Sequence, residues 1–224
     1  MGAFHAAITP LSTKLIDVAA YQGVDVRKVV ADKLSQKMQQ ANVRVLDMCC
    51  GVGISTRALR RAFPNSDKVL GLDTSPHMLS MARFISSQLT AFKDFFKNEE
   101  HRDFFMANCQ TMQYERGNAE KTGHEDESFD LVTIMYGFHE VPSSGRARIM
   151  DEAKRLLAPG GTLAVIDISP DFTPPPSMLA GEPYVLEYQE NIHSQLASFD
   201  GFTLESFEAI VSKQVGMWVL QKQH

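Results

Sequence analysis

The sequence predicts an α/β fold: a doubly wound, mainly parallel sheet of seven strands that ends in an antiparallel hairpin and is preceded by N-terminal helices. Three observations predict it. Short apolar runs alternate with amphipathic segments between Val43 and Ile168, which implies parallel strand–helix–strand units with right-handed crossovers. The first run opens directly into the turn Gly51-Val52-Gly53, a strand-to-helix junction of the kind that faces ligands in such sheets. The last two runs, Thr203–Val211 and Met217–Gln221, are too close in sequence for any but an antiparallel pairing.

Each element follows from its own pattern. Over residues 5–41, Ile8, Leu11, Leu15, Ile16, Val18 and Ala19, then Val26, Val29, Val30 and Leu34, recur every three to four residues, so two helices are expected with a break at Tyr21–Gly23. Val43–Met48 reads as a buried strand, and Ser55–Phe63 as a helix that Pro64 stops. A strand at Lys68–Leu72 and a helix at Pro76–Phe92 follow, with Ser75 as N-cap and Pro76 at the first helical position. Strands near Gln113–Gly117 and at Asp130–Tyr136, a helix at Ser143–Leu157 and a strand at Thr162–Ile168 complete the alternation. Pro170 and Pro174–Pro176 mark a loop, and Glu182–Leu196 a further helix. The charged, aromatic stretch 92–112 interrupts the pattern and is expected to be an insertion or surface helix. The expected organisation is a single domain over 1–224, with helices in 1–41, a ligand-binding core in 42–168, a lid in 169–200 and the hairpin in 201–224.

Length and composition set bounds on function. A chain of 224 residues, 44% hydrophobic and 22% charged, can bury a full core without disulfides or a structural metal. Its net charge of −5 and pI of 5.8 leave no stripe of Lys and Arg to neutralise a phosphate backbone, so nucleic acid is not an expected partner. The densest basic cluster, Arg57, Arg60 and Arg61, reads as a solvated helix face. Cys49, Cys50 and Cys109 are an odd set with no metal-ligand spacing, which fits a reducing compartment and no bound metal. No run of about 20 apolar residues is available to span a membrane, and the expected location is cytoplasmic, or organellar if a leader has been removed.

The chemistry is concentrated at strand ends. In Val45-Leu46-Asp47-Met48-Cys49-Cys50-Gly51-Val52-Gly53 the glycines allow close approach of backbone to ligand and the next helix offers free N–H groups. Asp73 lies 20 residues after Gly53, at the tip of the second strand, where a carboxylate can accept hydrogen bonds from both ribose hydroxyls or cap the next helix. Thr56 stands where a dinucleotide fingerprint has its third Gly, and the carboxylate of Asp47 favours a cationic ligand over a pyrophosphate.

These residues resemble the class I methyltransferases that depend on S-adenosylmethionine. Asp47–Gly53 is similar to that family's Asp-x-Gly-x-Gly-x-Gly motif, and Asp73 to its ribose-binding acid. Gly117-Asn118-Ala119-Glu120 resembles the segment that flanks the adenine, Phe129-Asp130-Leu131-Val132 the fourth strand, and Leu156–Leu163, with its Pro-Gly-Gly, the turn into the fifth. The resemblance spans about residues 40–168. It implies a Rossmann-like methyltransferase fold, S-adenosylmethionine as cofactor with S-adenosylhomocysteine as product, and a cofactor site formed by Asp47, Cys49, Gly51, Gly53, Asp73, Thr74, Met78, Asn118, Ala119, Glu120 and Tyr136. Cys49 departs from the pattern, standing where the family has Gly. A side chain is tolerated there if φ stays negative.

Ile134–Val141 resembles the segment after the fourth strand in small-molecule methyltransferases, the ubiquinone and menaquinone biosynthesis group among them. Those carry Arg-Asn where this chain has His139-Glu140, so a quinone ring does not follow from the resemblance alone. What is implied is methyl transfer to a small molecule by in-line displacement, achieved mainly by positioning. His139 is the candidate catalytic base; the alternative is that it shapes the pocket or caps the helix at Ser143. Candidate acceptor-binding residues are His139, Asp167, Tyr184, Glu187 and Tyr188, in a region whose acids and aromatics suit a hydroxylated or cationic acceptor, or form a polar lid face. Two rival classes are a cofactor-binding partner subunit without turnover, which Cys49 favours, and a nicotinamide-dependent oxidoreductase, which Thr56 and the terminal hairpin disfavour.

Overall fold

A computed structural model describes residues 2–38, 40, 42–92 and 112–223. The insertion expected over 92–112 and Cys109 lie almost wholly outside the described residues. The chain falls into two compact units, residues 1–117 and 118–224, which are taken in turn.

The first unit opens with helices α1 (Gly2–Ala19) and α2 (Val26–Met38). The break between them is where the spacing predicts it: Gly23 takes φ 82° and donates its N–H to the Asp17 carbonyl at 2.8 Å, which ends α1. Asp25 then caps α2 by accepting the Lys28 N–H at 3.0 Å, and α2 buries Val26, Val30, Ala31 and Leu34. Strands β1 (Val45–Met48), β2 (Val69–Asp73) and β3 (Met112–Arg116) pair in parallel in the order β3-β2-β1, with Val45 opposite Val69 and Val69 opposite Met112. All four side chains of β1 are buried, as a strand covered on both faces requires. Helices α3 (Ile54–Ala62) and α4 (Pro76–Phe92) connect them. Ser75 caps α4 through Met78 N–H at 3.3 Å, as expected.

The basic cluster on α3 is not a solvated face. Arg60 is 1% exposed and donates to the backbone carbonyls of Ser66 and Pro64, closing the loop after the helix. Arg57 turns back to the Val52 carbonyl at 2.9 Å beside Tyr114. Only Arg61 is exposed, so two of the three charges serve the fold rather than solvent.

The second unit carries β4 (Phe129–Met135), a 3-10 turn (Phe138–Glu140), α5 (Ser143–Leu156), β5 (Leu157–Ile168), α6 (Pro176–Gly181), α7 (Val185–Ala197), β6 (Phe202–Val211) and β7 (Val215–Lys222). Its strands run β4-β5-β7-β6, parallel between β4 and β5 and antiparallel beyond, so the hairpin is present. Gly216 is required there, because a Cβ would come within 2.8 Å of the Phe207 ring and 2.9 Å of Trp218, the largest fully buried side chain.

Three local features differ from expectation. Strand β5 begins at Leu157 and runs through Pro159-Gly160-Gly161, where a turn is predicted. The ladder absorbs those residues as a bulge between Phe129 and Leu131, with Gly160 at φ 70°. The proline loop contains the short helix α6, started by Pro176 at its first position. Helix α7 starts at Val185, which leaves Glu182 and Tyr184 ahead of it.

Candidate active site

The end of β1 sets the geometry of the first unit's site. Cys49, Gly51 and Gly53 take φ values of 59°, 54° and 73°. The condition of a negative φ at Cys49 is not met: the residue is left-handed, a conformation that costs a side chain roughly 1–2 kcal/mol relative to glycine. At Gly53 glycine is a steric necessity as well, since a Cβ would lie 2.5–2.8 Å from the Tyr114 ring and hydroxyl. Gly51 faces open space: a Cβ there would meet nothing within 4 Å.

Two carboxylates organise this turn. Asp47 is fully buried, and its Oδ2 accepts the Ser55 and Thr56 hydroxyls, each at 2.6 Å, tying the first turn of α3 to β1. Thr56 thus fills the place of a third glycine with a hydrogen bond. The signal for it was two hydroxyl residues eight and nine positions after the Asp. Asp73 accepts Gly51 N–H on Oδ2 and Ser75 N–H on Oδ1, both at 2.8 Å. Each oxygen keeps a lone pair, which is the requirement for holding two vicinal hydroxyls. Thr74 is exposed and its carbonyl accepts from Arg116 at 3.2 Å, while Met78 is half-buried in the first turn of α4. Cys50 is buried, and burial followed by the nearby Asp47 and Asp73 charges pushes its thiol far above the usual range, so it is no nucleophile. Neither Cys49 nor Cys50 is in a disulfide.

In the second unit Asn118 closes a small turn, its Oδ1 accepting Glu120 N–H at 3.0 Å, next to the buried Ala119. Glu120 is fixed by two hydrogen bonds from Arg148, at 2.7 and 3.1 Å, which hold its carboxyl below the ordinary range. Tyr136 ends β4 with φ 59° and donates its N–H to Ile166.

Just beyond lies the most organised cluster of titratable groups. Asp167, fully buried at the end of β5, accepts four hydrogen bonds: from Phe138 N–H (2.9 Å), His139 N–H (3.2 Å), Ile168 N–H (2.8 Å) and the His139 ring at Nδ1 (2.5 Å). The 3-10 turn exists because Asp167 gathers its N–H groups. With Nδ1–H committed to Asp167, Nε2 is the ring atom that faces outward, 3.4 Å from Glu182 Oε2 and 4.0 Å from Glu140 Oε1. Burial opposes the charged ring, but attraction and hydrogen bonding from Asp167, helped by Glu140 and Glu182, raise its pKa to about 9.

The other candidates on α7 have structural partners. Glu187 makes a two-oxygen contact with Arg146 at 2.8 and 3.0 Å, and Arg146, fully buried, also bonds the Val141 carbonyl and Gln195. Tyr188 is fully buried, donates to the Ile168 carbonyl at 2.9 Å, lies under Arg146 and sets its ring edge-on to His139. Tyr184 is 37% exposed just before α7. Arg146 itself carried no sequence signal, since an Arg on an amphipathic helix reads as surface. Among the described residues no group of His, Cys, Asp and Glu is arranged to hold a metal ion, and no helix is long and apolar enough to cross a membrane.

With this geometry in place, comparison with known proteins is direct. The family described as "Methyltransferase domain" matches residues 45–161. The demethylmenaquinone methyltransferase of Oceanobacillus iheyensis is 30% identical over 138 residues, 62% of this chain and 50% of that protein. The "2-phytyl-1,4-naphtoquinone methyltransferase" of Synechococcus elongatus is 28% identical over 131 residues, 58% of this chain and 48% of that protein. The match therefore spans about half the length of these curated relatives. Among solved structures, a SAM-dependent methyltransferase from Aquifex aeolicus aligns with TM-score 0.62 at 19% identity over 85% of this chain and 89% of that one, which shows the Rossmann-like fold with seven strands. The glycine turn, the acid ending β2 and the fifth strand with its bulge all lie at or within the limits of the matched region or just beyond it, and the chain belongs to the class I methyltransferase-domain family.

Proposed function

We propose that the chain is an S-adenosylmethionine-dependent methyltransferase whose acceptor is a hydroxyl-bearing aromatic small molecule of the quinone type. The observation that carries the reading is Asp73, presented by two backbone N–H bonds with a lone pair left on each oxygen, beside the open face of Gly51. This donor and acceptor set fits a nucleoside ribose. When bound, S-adenosylmethionine supplies a methyl group on a positively charged sulfur, already activated for in-line displacement.

The chain's residues then bind, orient and manage charge. Asp73 takes the ribose hydroxyls, and Asp47 fixes the turn through Ser55 and Thr56 without needing to touch the ligand. Cys49, Gly51, Gly53, Thr74 and Met78 complete the first unit's part of the proposed cofactor set; Asn118, Ala119, Glu120 and Tyr136 are the second unit's candidates. For the acceptor, the names of the curated relatives support a naphthoquinone-type ring, and the His139–Asp167 pair supports one that carries a hydroxyl. His139 stands protonated at neutral pH, so it serves as a hydrogen-bond donor to the acceptor oxygen through Nε2 rather than as a free base.

Calorimetry tests the cofactor. Asp73→Ala is expected to weaken S-adenosylmethionine binding about 150-fold or more, since two hydrogen bonds to a carboxylate are lost at roughly 1.5–3 kcal/mol each. Equal affinity in the variant and parent would refute the assignment.

A further inference from the structure

A protonated His139 leaves the reaction without a proton acceptor, and the cluster around it contains one. Glu182 sits in the connection between α6 and α7, with its side chain 31% exposed overall. Its Oε2 is buried and makes no hydrogen bond among the described residues, yet lies 3.4 Å from His139 Nε2. A buried carboxylate oxygen with no hydrogen-bond partner is costly and uncommon, and a donor placed beside it relieves that cost. A hydroxyl seated at this point would donate to Glu182 Oε2 and accept from His139 Nε2–H.

We propose that Glu182 is the proton acceptor for the acceptor's hydroxyl and that His139, held by Asp167, steadies the oxygen as it becomes negative. This rests on the methyltransferase reading above. Among the described residues, three carboxylates and one neutral ring face His139: Asp167 from β5, Glu140 from its own turn, Glu182 from the α6–α7 connection, and the Tyr188 ring edge from α7. Of the three carboxylates, Asp167 is saturated by four hydrogen bonds, and Glu140 lies farther away, at 4.0 Å with a side chain 66% exposed. Glu182 is the one both near and unsatisfied.

The step balances. The hydroxyl proton passes to Glu182. The electron pair left on oxygen forms the new bond to the methyl carbon, or forms it from a ring carbon to which it is delocalised, whose C–H proton then returns to that oxygen as the ring regains aromaticity; the carbon–sulfur pair stays on sulfur as a neutral thioether. Glu182 then returns the proton to water. A site with this much negative charge selects a neutral hydroxylated acceptor and repels one bearing a carboxylate or phosphate.

The test combines an acceptor-free readout with turnover. Nitrogen-15 NMR of the His139 ring in the full chain should show its titration midpoint fall by about half a pH unit or more in Glu182→Gln, because one facing carboxylate has been neutralised. An unmoved midpoint overturns the pairing. Initial rates with labelled S-adenosylmethionine and anaerobic 1,4-dihydroxynaphthalene, against its dimethyl ether as a hydroxyl-free control, then read the proton step. Glu182→Gln should lower kcat about 100-fold with KM nearly unchanged, while Glu182→Asp recovers part of the rate. A Glu182→Gln rate within threefold of the parent overturns the assignment, as does a parent that binds S-adenosylmethionine but methylates the diether as fast as the diol. Failure to bind S-adenosylmethionine in calorimetry overturns the methyltransferase reading itself, and the NMR shift reports the Glu182–His139 pair separately.

Discussion

Cys49 and Tyr136, at the ends of β1 and β4, both take φ 59°, a conformation that glycine adopts freely and other residues enter at a cost. At Cys49 the family pattern has glycine, so the strain accompanies a departure from that pattern. Cys49→Gly is expected to stabilise the fold by about 1 kcal/mol in urea unfolding, with S-adenosylmethionine affinity equal to the parent or tighter, as removal of the Cβ widens the floor beside the turn. Lower stability in the variant would mean that the thiol's packing outweighs the strain. The sequence identified the departure at position 49, but the sign of φ was not legible, because it depends on how the turn accommodates Gly51 and Gly53 together.

At the scale of elements, periodicity located nearly everything that packs by burial alone. The break between α1 and α2, the start of α4 at Pro76 and the terminal hairpin follow from apolar spacing and from Gly and Pro. What escaped was whatever depends on partners distant in sequence. The 3-10 turn at Phe138–Glu140 forms around a carboxylate 28 residues away, and β5 extends through a Pro-Gly-Gly segment because β4 offers a partner strand. Arg146 is the clearest instance. It lies on an amphipathic helix, reads as surface, and yet is fully buried, joining α5 to α7 through Glu187, Gln195 and the ring of Tyr188. Its partner Glu187 reads from the sequence as a candidate acceptor-binding residue, because an acid in a lid carries no mark of whether it faces substrate or an arginine. Arg146→Ala should cost about 2–4 kcal/mol in chemical denaturation, since it strands the Val141 carbonyl and Gln195 and removes a buried cation from Glu187. Restoring volume without charge, Arg146→Met, should recover part of that loss, and a loss under 1 kcal/mol in Arg146→Ala would show that water replaces these bonds.

For the molecule as a whole, net charge −5 places the response to pH with carboxylates and with the one histidine they surround. Two groups give opposite limbs. Burial disfavours the charged form of Glu152, but hydrogen bonds from Arg155 and Thr122 prevail and lower its pKa from 4.5 to about 2. A depressed folded-state value means that its stabilisation is present above the unfolded value near 4.5 and is lost as pH falls through about 2. His139 is raised from 6.5 to about 9, so its contribution is fully present below 6.5 and disappears as pH rises through 9. Both contributions are complete together only between about 4.5 and 6.5. Thermal unfolding followed by circular dichroism from pH 3 to 10 should therefore show Tm differences with distinct windows. The parent should exceed His139→Gln most below pH 6.5, with the gap closing by pH 9 to 10. The excess over Glu152→Gln should hold above pH 4.5 and shrink toward pH 3. A His139→Gln gap that instead widened as pH rose would mean that His139 is buried neutral, with desolvation outweighing Asp167, and would return it to the role of a free base.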